Sequence, residues 1–161
     1  MRIEPLMIIH TTFKEPLPIG RGPFGARFVS DISSGSFEGA RLRGSILPSG
    51  GVSILFDPEG NGHGDGRLVL ETNDGAYIYA QYQAVFATND RIQEMLAKRE
   101  ETEYGDCYFV AQFRLETGSK GYQWLNLVMA VAEGRLLRRG VEYRVYEVMN
   151  DQQESQKNKS K

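Results

Sequence analysis

Two runs decide the fold: GSFEGARLRGSILPSGG (Gly35–Gly51) and DGRLVLETNDGA (Asp65–Ala76). Both carry glycine where a β-chain must turn or make room. Glycine inside a strand, as at Gly39 and Gly44, marks a bend, a bulge or a close backbone approach. Strongly bent strands belong to barrels, where curvature has to be built in. Asp74-Gly75 between two β-rich runs is the strongest short-range hairpin signal. Read as a two-residue loop, it sets Glu71 opposite Ile78, Val69 opposite Ala80 and Arg67 opposite Tyr82 on one side of the sheet. Leu68, Leu70, Tyr77 and Tyr79 then fall on the other side.

Working outward, Met7–Phe13 and Phe24–Ile32 read as strands, separated by a proline- and glycine-rich loop over Lys14–Pro23. Asp57–Gly66 (DPEGNGHGDG) is a loop of turn-formers. Asn89–Thr102 is the one helix, with Asp90 as cap and Ile92, Met95 and Leu96 as its apolar stripe. Asp106–Glu116, Tyr122–Val131 and Gly140–Val148 complete the strands. Beyond Met149 no residue is apolar, so 150–161 is expected to be a disordered polar tail on a single 1–149 domain.

Totals narrow the class. At 161 residues the chain is one domain long, and 40% hydrophobic with 25% charged residues suits a soluble globular protein. A net charge of −2 offers no field for nucleic acid or for a membrane surface, so neither is expected as a partner. No apolar stretch reaches the roughly 20 residues of a membrane span. The single Cys107 excludes an internal disulfide and fits a cytoplasmic location. No His/Cys/Asp spacing suggests a metal, and no cofactor motif is present. Eight or nine short strands with one helix and no fixed repeat predict an all-β, closed antiparallel barrel.

The ordered motifs GSFEGARLRGSILPSGG, DGRLVLETNDGA, LETG followed by YQWLN, and the closing YRVYEV resemble the family called domain of unknown function thirty-two thirty-seven. The resemblance implies a small antiparallel barrel similar to lipocalin or allene-oxide-cyclase barrels, and leaves the biochemistry unassigned. Asp65, Arg67, Thr72, Asp74, Glu116, Trp124 and Asn126 match the family pattern. Ser53 stands where the family often has aspartate, and Leu68 where an aromatic is common.

Candidate site residues follow from strand phase. Asp65 and Arg67 are two apart and share a face, as a luminal anion-binding pair or as an exposed ion pair. Tyr122, Trp124 and Asn126 share another, as a pocket wall or as barrel filling with Asn126 bonded to backbone. The ligand-binding set is Arg27, Asp65, Arg67, Tyr82, Trp124 and Asn126, gathered in the lumen. Arg67, Glu116 and Asp65 are the candidates for catalysis, Glu116 as a general base if burial raises its pKa. His63 reads as a solvated loop residue and Cys107 as an inert core thiol.

The functional expectation is a barrel that binds a small hydrophobic, oxygen-bearing metabolite in its lumen, with isomerisation or cyclisation as the catalytic extension. The alternative is a non-catalytic structural or protein-interaction barrel with a filled lumen. Whether the chain is an enzyme, and whether it self-associates, stays open at this level.

Overall fold

The computed structural model, which describes residues 1–150, holds nine strands, and the inward and outward alternation of side chains belongs to those that close the barrel, the Leu17–Gly22 strand being exposed throughout. The strands are β1 (Arg2–Phe13), β2 (Leu17–Gly22), β3 (Gly25–Glu38), β4 (Arg43–Phe56), β5 (Gly62–Thr72), β6 (Tyr77–Phe86), β7 (Phe109–Glu116), β8 (Met129–Leu137) and β9 (Gly140–Met149). A helix α1 (Asp90–Lys98) and a 3₁₀ helix over Lys120–Leu127 interrupt them. The hydrogen-bonded order is β1-β9-β8-β7-β6-β5-β4-β3-β2, and β1 also pairs with β3. That last pairing closes eight strands into an antiparallel barrel and leaves β2 outside. β3 serves both partners: Gly25–Val29 bond to β2, while Ile32–Glu38 bond to β1. The expected closed barrel is therefore the fold. The expected tail lies, from Asp151 on, outside the described residues. Among the described residues no helix is long and apolar enough to cross a membrane.

The lumen is filled by large rings laid over bare glycines of the neighbouring strand. A Cβ on Gly66 would fall 2.1 Å from the Tyr82 ring, and one on Gly62 would fall 1.9 Å from Phe86. Phe109 uses Gly134 in the same way, at 2.8 Å. Tyr82 stacks on Phe113 with centroids 4.9 Å apart and meets Tyr143 edge-on at 5.4 Å. Around them Leu68, Leu70, Ile78 and Ala80 are fully buried. Leu68, Leu70 and Ile78 each contribute about 1.5–3 kcal/mol through removal from water. Ring beside glycine, and Phe beside Ala, is the large–small alternation that fills a narrow barrel.

The register of the β5–β6 hairpin corrects the sequence expectation by one residue. The backbone of Gly75 donates to Thr72 O at 2.9 Å, and Thr72 N donates to Ala76 O at 2.9 Å. The loop is thus three residues, Asn73-Asp74-Gly75, a tight turn followed by a glycine at φ 86°. Leu70 then faces Ile78, Leu68 faces Ala80, Gly66 faces Tyr82 and Arg67 faces Gln81. Since side-chain phase is two, the slip moves all of Arg67's neighbours to the opposite wall.

Other elements also differ from expectation: Asp57–Gly66, expected as a loop, enters strand β5 at Gly62. Lys14–Pro23 holds strand β2, which lies at the edge of the sheet, where proline is tolerated. Tyr122–Leu127 is 3₁₀ helix rather than strand, so Tyr122, Trp124 and Asn126 do not share a strand face. The cap of α1 is Asn89, whose Oδ1 accepts from Ile92 N at 2.9 Å, one residue before the expected Asp90. Arg99, at φ 54°, ends the helix in the left-handed region.

Candidate functional site

Of the six expected ligand-binding residues, only Tyr82 lies within the lumen. Arg67 and Asp65 pair with each other on the outer wall, where their side chains are 43% and 47% exposed. Arg27 joins them outside, donating from Nη1 to Ser53 Oγ at 2.6 Å. These three do converge, with Asp31 and the bare backbone of Gly50 and Gly51, on a shallow groove of about 410 Å³. Ser53, at the position where the family often has aspartate, sits between Arg27 and Asp65. Asn126 does not enter the lumen. Its amide accepts from Thr117 N at 2.8 Å and donates to Thr117 O at 2.9 Å, which clamps the 3₁₀ helix to the end of β7. Glu116 is exposed on the outer wall, outside the enclosed setting expected of it as a general base. A lumen pocket holding both Arg67 and Asn126 is excluded by this register and by the rings that occupy the centre.

Trp124 leads instead to the barrel mouth at the β5–β6 hairpin end. The 3₁₀ helix crosses this mouth and plugs it with fully buried Leu125. Opposite, the β3–β4 turn closes through Gly39 N to Leu42 O at 2.8 Å. A Cβ on Gly39 would fall 2.0 Å from Leu6 O, so only glycine lets this turn lie against β1. Buried Leu42 anchors it, and Arg41 is thereby aimed across the mouth. The Arg41 guanidinium lies 3.8 Å over the Trp124 ring and donates to Glu147 Oε2 at 2.5 Å.

Glu147 is the one buried carboxylate among the described residues, 7% exposed on the inner face of β9. It faces Glu4 across the β1–β9 ladder. Like charges opposite each other are unfavourable, and each here has a guanidinium: Arg41 for Glu147, and Arg2, at 3.1 Å, for Glu4. The bulge that follows, between Pro5 and Met7, occurs where proline offers no N–H to the ladder.

A second polar pair stands beside Arg41. Tyr122 OH donates to Asp74 Oδ1 at 2.8 Å, and Thr72 Oγ1 donates to the same oxygen at 2.5 Å. The Thr72 hydrogen bond, then that from Tyr122, holds the Asp74 carboxyl below its ordinary range. The same contact holds the Tyr122 phenol above its own. Arg41, Arg43, Asn73, Asp74 and Tyr122 line an open cleft of about 300 Å³ between the two turns. Arginine stacked on tryptophan and fixed on one edge by a buried carboxylate presents its remaining N–H groups in a set direction. Such a site can take an anionic oxygen of a ligand that enters the cleft.

Elsewhere, His63 contacts Asp57 at 2.9 Å at the opposite end of the barrel, and that bond holds Asp57 below its ordinary range. Asp57 also accepts from the backbone of Glu59 and Asn61, so the pair shapes the β4–β5 loop. Among the described residues no three His, Cys, Asp or Glu side chains converge as a metal site would require.

Glu147 was legible in the sequence by phase. Val141, Tyr143, Val145 and Met149 face inward, and Glu147 is the one charged residue in that row. Arg41 carries no such signal, since a turn arginine between glycine and leucine is ordinary.

Fold and mouth together define a closed antiparallel barrel with a filled lumen and a charged, aromatic-walled rim. Residues 1–148 match the model of the family described as Protein of unknown function (DUF3237), and the chain belongs to that family. It is 28% identical over 138 residues to a UPF0311 protein of Clostridium acetobutylicum, covering 84% of this chain and 87% of that one. Among solved structures, a beta-barrel like protein from Acinetobacter baumannii superposes with TM-score 0.80 at 31% identity, covering 92% of this chain and 96% of that chain. A structure described as an enzyme from Penicillium herquei superposes with TM-score 0.68 at 17% identity, over 92% and 94% of the two chains, a likeness of fold alone.

Proposed function

We propose that this chain binds a small, largely apolar, oxygen-bearing metabolite at the barrel mouth rather than in the mid-lumen. The observation that carries this is Arg41, oriented by Trp124 and Glu147 at the edge of the 300 Å³ cleft. A carboxylate, enolate or phenolate oxygen meets Arg41, while Tyr122 and Leu42 supply the apolar side of the contact. Between binding and catalysis, the titratable groups favour binding. Asp74 is held ionised by Thr72 and then Tyr122, and Tyr122 is held protonated by Asp74, so neither is poised near neutrality for proton transfer. An isomerisation or cyclisation here would rest on positioning and on the charge of Arg41. That the fold hosts catalysis elsewhere is consistent with the protein from Penicillium herquei being described as an enzyme.

The test is a thermal-shift and native mass-spectrometry screen with aromatic and enolic acids. A ligand at a hundredfold excess over Kd should stabilise the wild-type chain by about 2.7 kcal/mol. Arg41→Met should abolish that shift and Arg67→Met should preserve it. The opposite pattern would move the site to the outer wall. No shift with any ligand would support a non-catalytic interaction barrel.

A further inference from the structure

The outer face of β6, β7 and β8 exposes apolar side chains that nothing in the described chain covers. Leu127 is 87% exposed, Met129 71% and Tyr77 61%, with Tyr79, Val85 and Val110 also in the open. Together these six side chains present on the order of 600 Å², at the upper end of what a monomer usually shows, with the Gln81–Arg114 and Gln83–Gln112 rows between Tyr79 and the Val85–Val110 pair. Beside them runs a groove of about 500 Å³, lined by Gln81, Gln83, Gln112, Arg114 and Leu127.

The charges on this face are self-complementary. Arg114 and Glu116 are two apart on β7, both exposed and both pointing outward. Among the described residues neither has an ion-pair partner. We propose that this face is where a second copy of the chain docks, through a two-fold axis that lies between the two sheets and crosses β7 at Leu115.

Register makes the arrangement specific. Such an axis sets β7 antiparallel to its copy, so Arg114 of each chain meets Glu116 of the other. On β6, Tyr79 pairs with Glu116 and Gln81 with Arg114 in the ladder. The same rotation therefore lays Tyr79 against Gln81 of the second copy. On β8, Met129 stands opposite Arg114, and the rotation carries it toward Leu127 of the second copy. Tyr79, Met129 and Leu127 thus each have a place, while Val85 and Val110 lie outside the contact; the interface is isologous and closed.

Sedimentation velocity on the full chain tests this. The wild type should sediment as a dimer that dissociates on dilution. Arg114→Glu alone and Glu116→Arg alone each place like charges in apposition and should raise the dimer Kd by roughly tenfold or more. The double exchange Arg114→Glu with Glu116→Arg should restore it, which a nonspecific loss of solubility could not do. Leu127→Asp should give monomer with an unchanged melting midpoint, since Leu127 touches solvent in the single chain. A monomeric wild type, or a dimer indifferent to the charge exchange and to Leu127→Asp, would overturn the proposal.

Discussion

Arg41 and Glu147, 106 residues apart in sequence, form the ion pair that spans the barrel mouth at 2.5 Å. Glu147 is nearly enclosed, while the arginine side chain remains 45% exposed. Removing the arginine leaves a buried carboxylate without its guanidinium. Arg41→Ala should therefore cost about 2–3 kcal/mol, less than a fully enclosed pair because water reaches the mouth. Replacing both, as Arg41→Met with Glu147→Gln, should recover most of that loss, because no charge is stranded. Urea melts of the single and double variants check this.

Gly66 and Gly75 should respond to alanine for different reasons. At Gly66 the new methyl collides with the Tyr82 ring at 2.1 Å inside a filled lumen. Overpacking of this kind costs about 2–3 kcal/mol. At Gly75 nothing lies within 4 Å, and only the left-handed backbone at φ 86° opposes the substitution. That cost is about 1 kcal/mol. Equal midpoints for the two variants would count against the filled lumen.

Asp74 links the mouth to acid stability. Its folded pKa lies below the usual 3.8, chiefly through Thr72 and then Tyr122. A carboxyl depressed on folding contributes stability that is present above its unfolded pKa and lost as pH falls through the folded one. Asp74→Asn should lower stability at neutral pH and flatten the acid limb below about pH 4. Stability curves against pH for both chains check the sign; a steeper acid limb in the variant would refute it.

Cys107 should behave as an inert thiol. Burial first, and the charge of Asp106 second, raise its pKa above the ordinary value. The thiolate fraction at neutral pH is then smaller than for a free cysteine, and thiolate is the reactive form. Ellman's reagent should label the native chain more slowly than the urea-unfolded chain. Equal rates would place the sulfur in water.

The class of fold is legible in local pattern alone. Alternating patterns, glycines inside strands and the Asp-Gly turn specify a bent antiparallel sheet, because strand phase and turn chemistry are local properties. Glu147 is not among the residues expected from sequence, although the phase of the last strand marks it as the one charge in an otherwise apolar inward row. What local pattern did not determine was which wall Arg67 stands on. A two-residue and a three-residue loop both suit Asn73-Asp74-Gly75, and the difference inverts every side chain on β5. Only tertiary structure resolved this, because Tyr82 needs the space above Gly66, a demand made between strands. The meeting of Arg41, Trp124 and Glu147 was likewise a tertiary matter. Barrel closure brings a turn, a 3₁₀ helix and the last strand to one rim, and no local pattern in the chain encodes contacts over such separations.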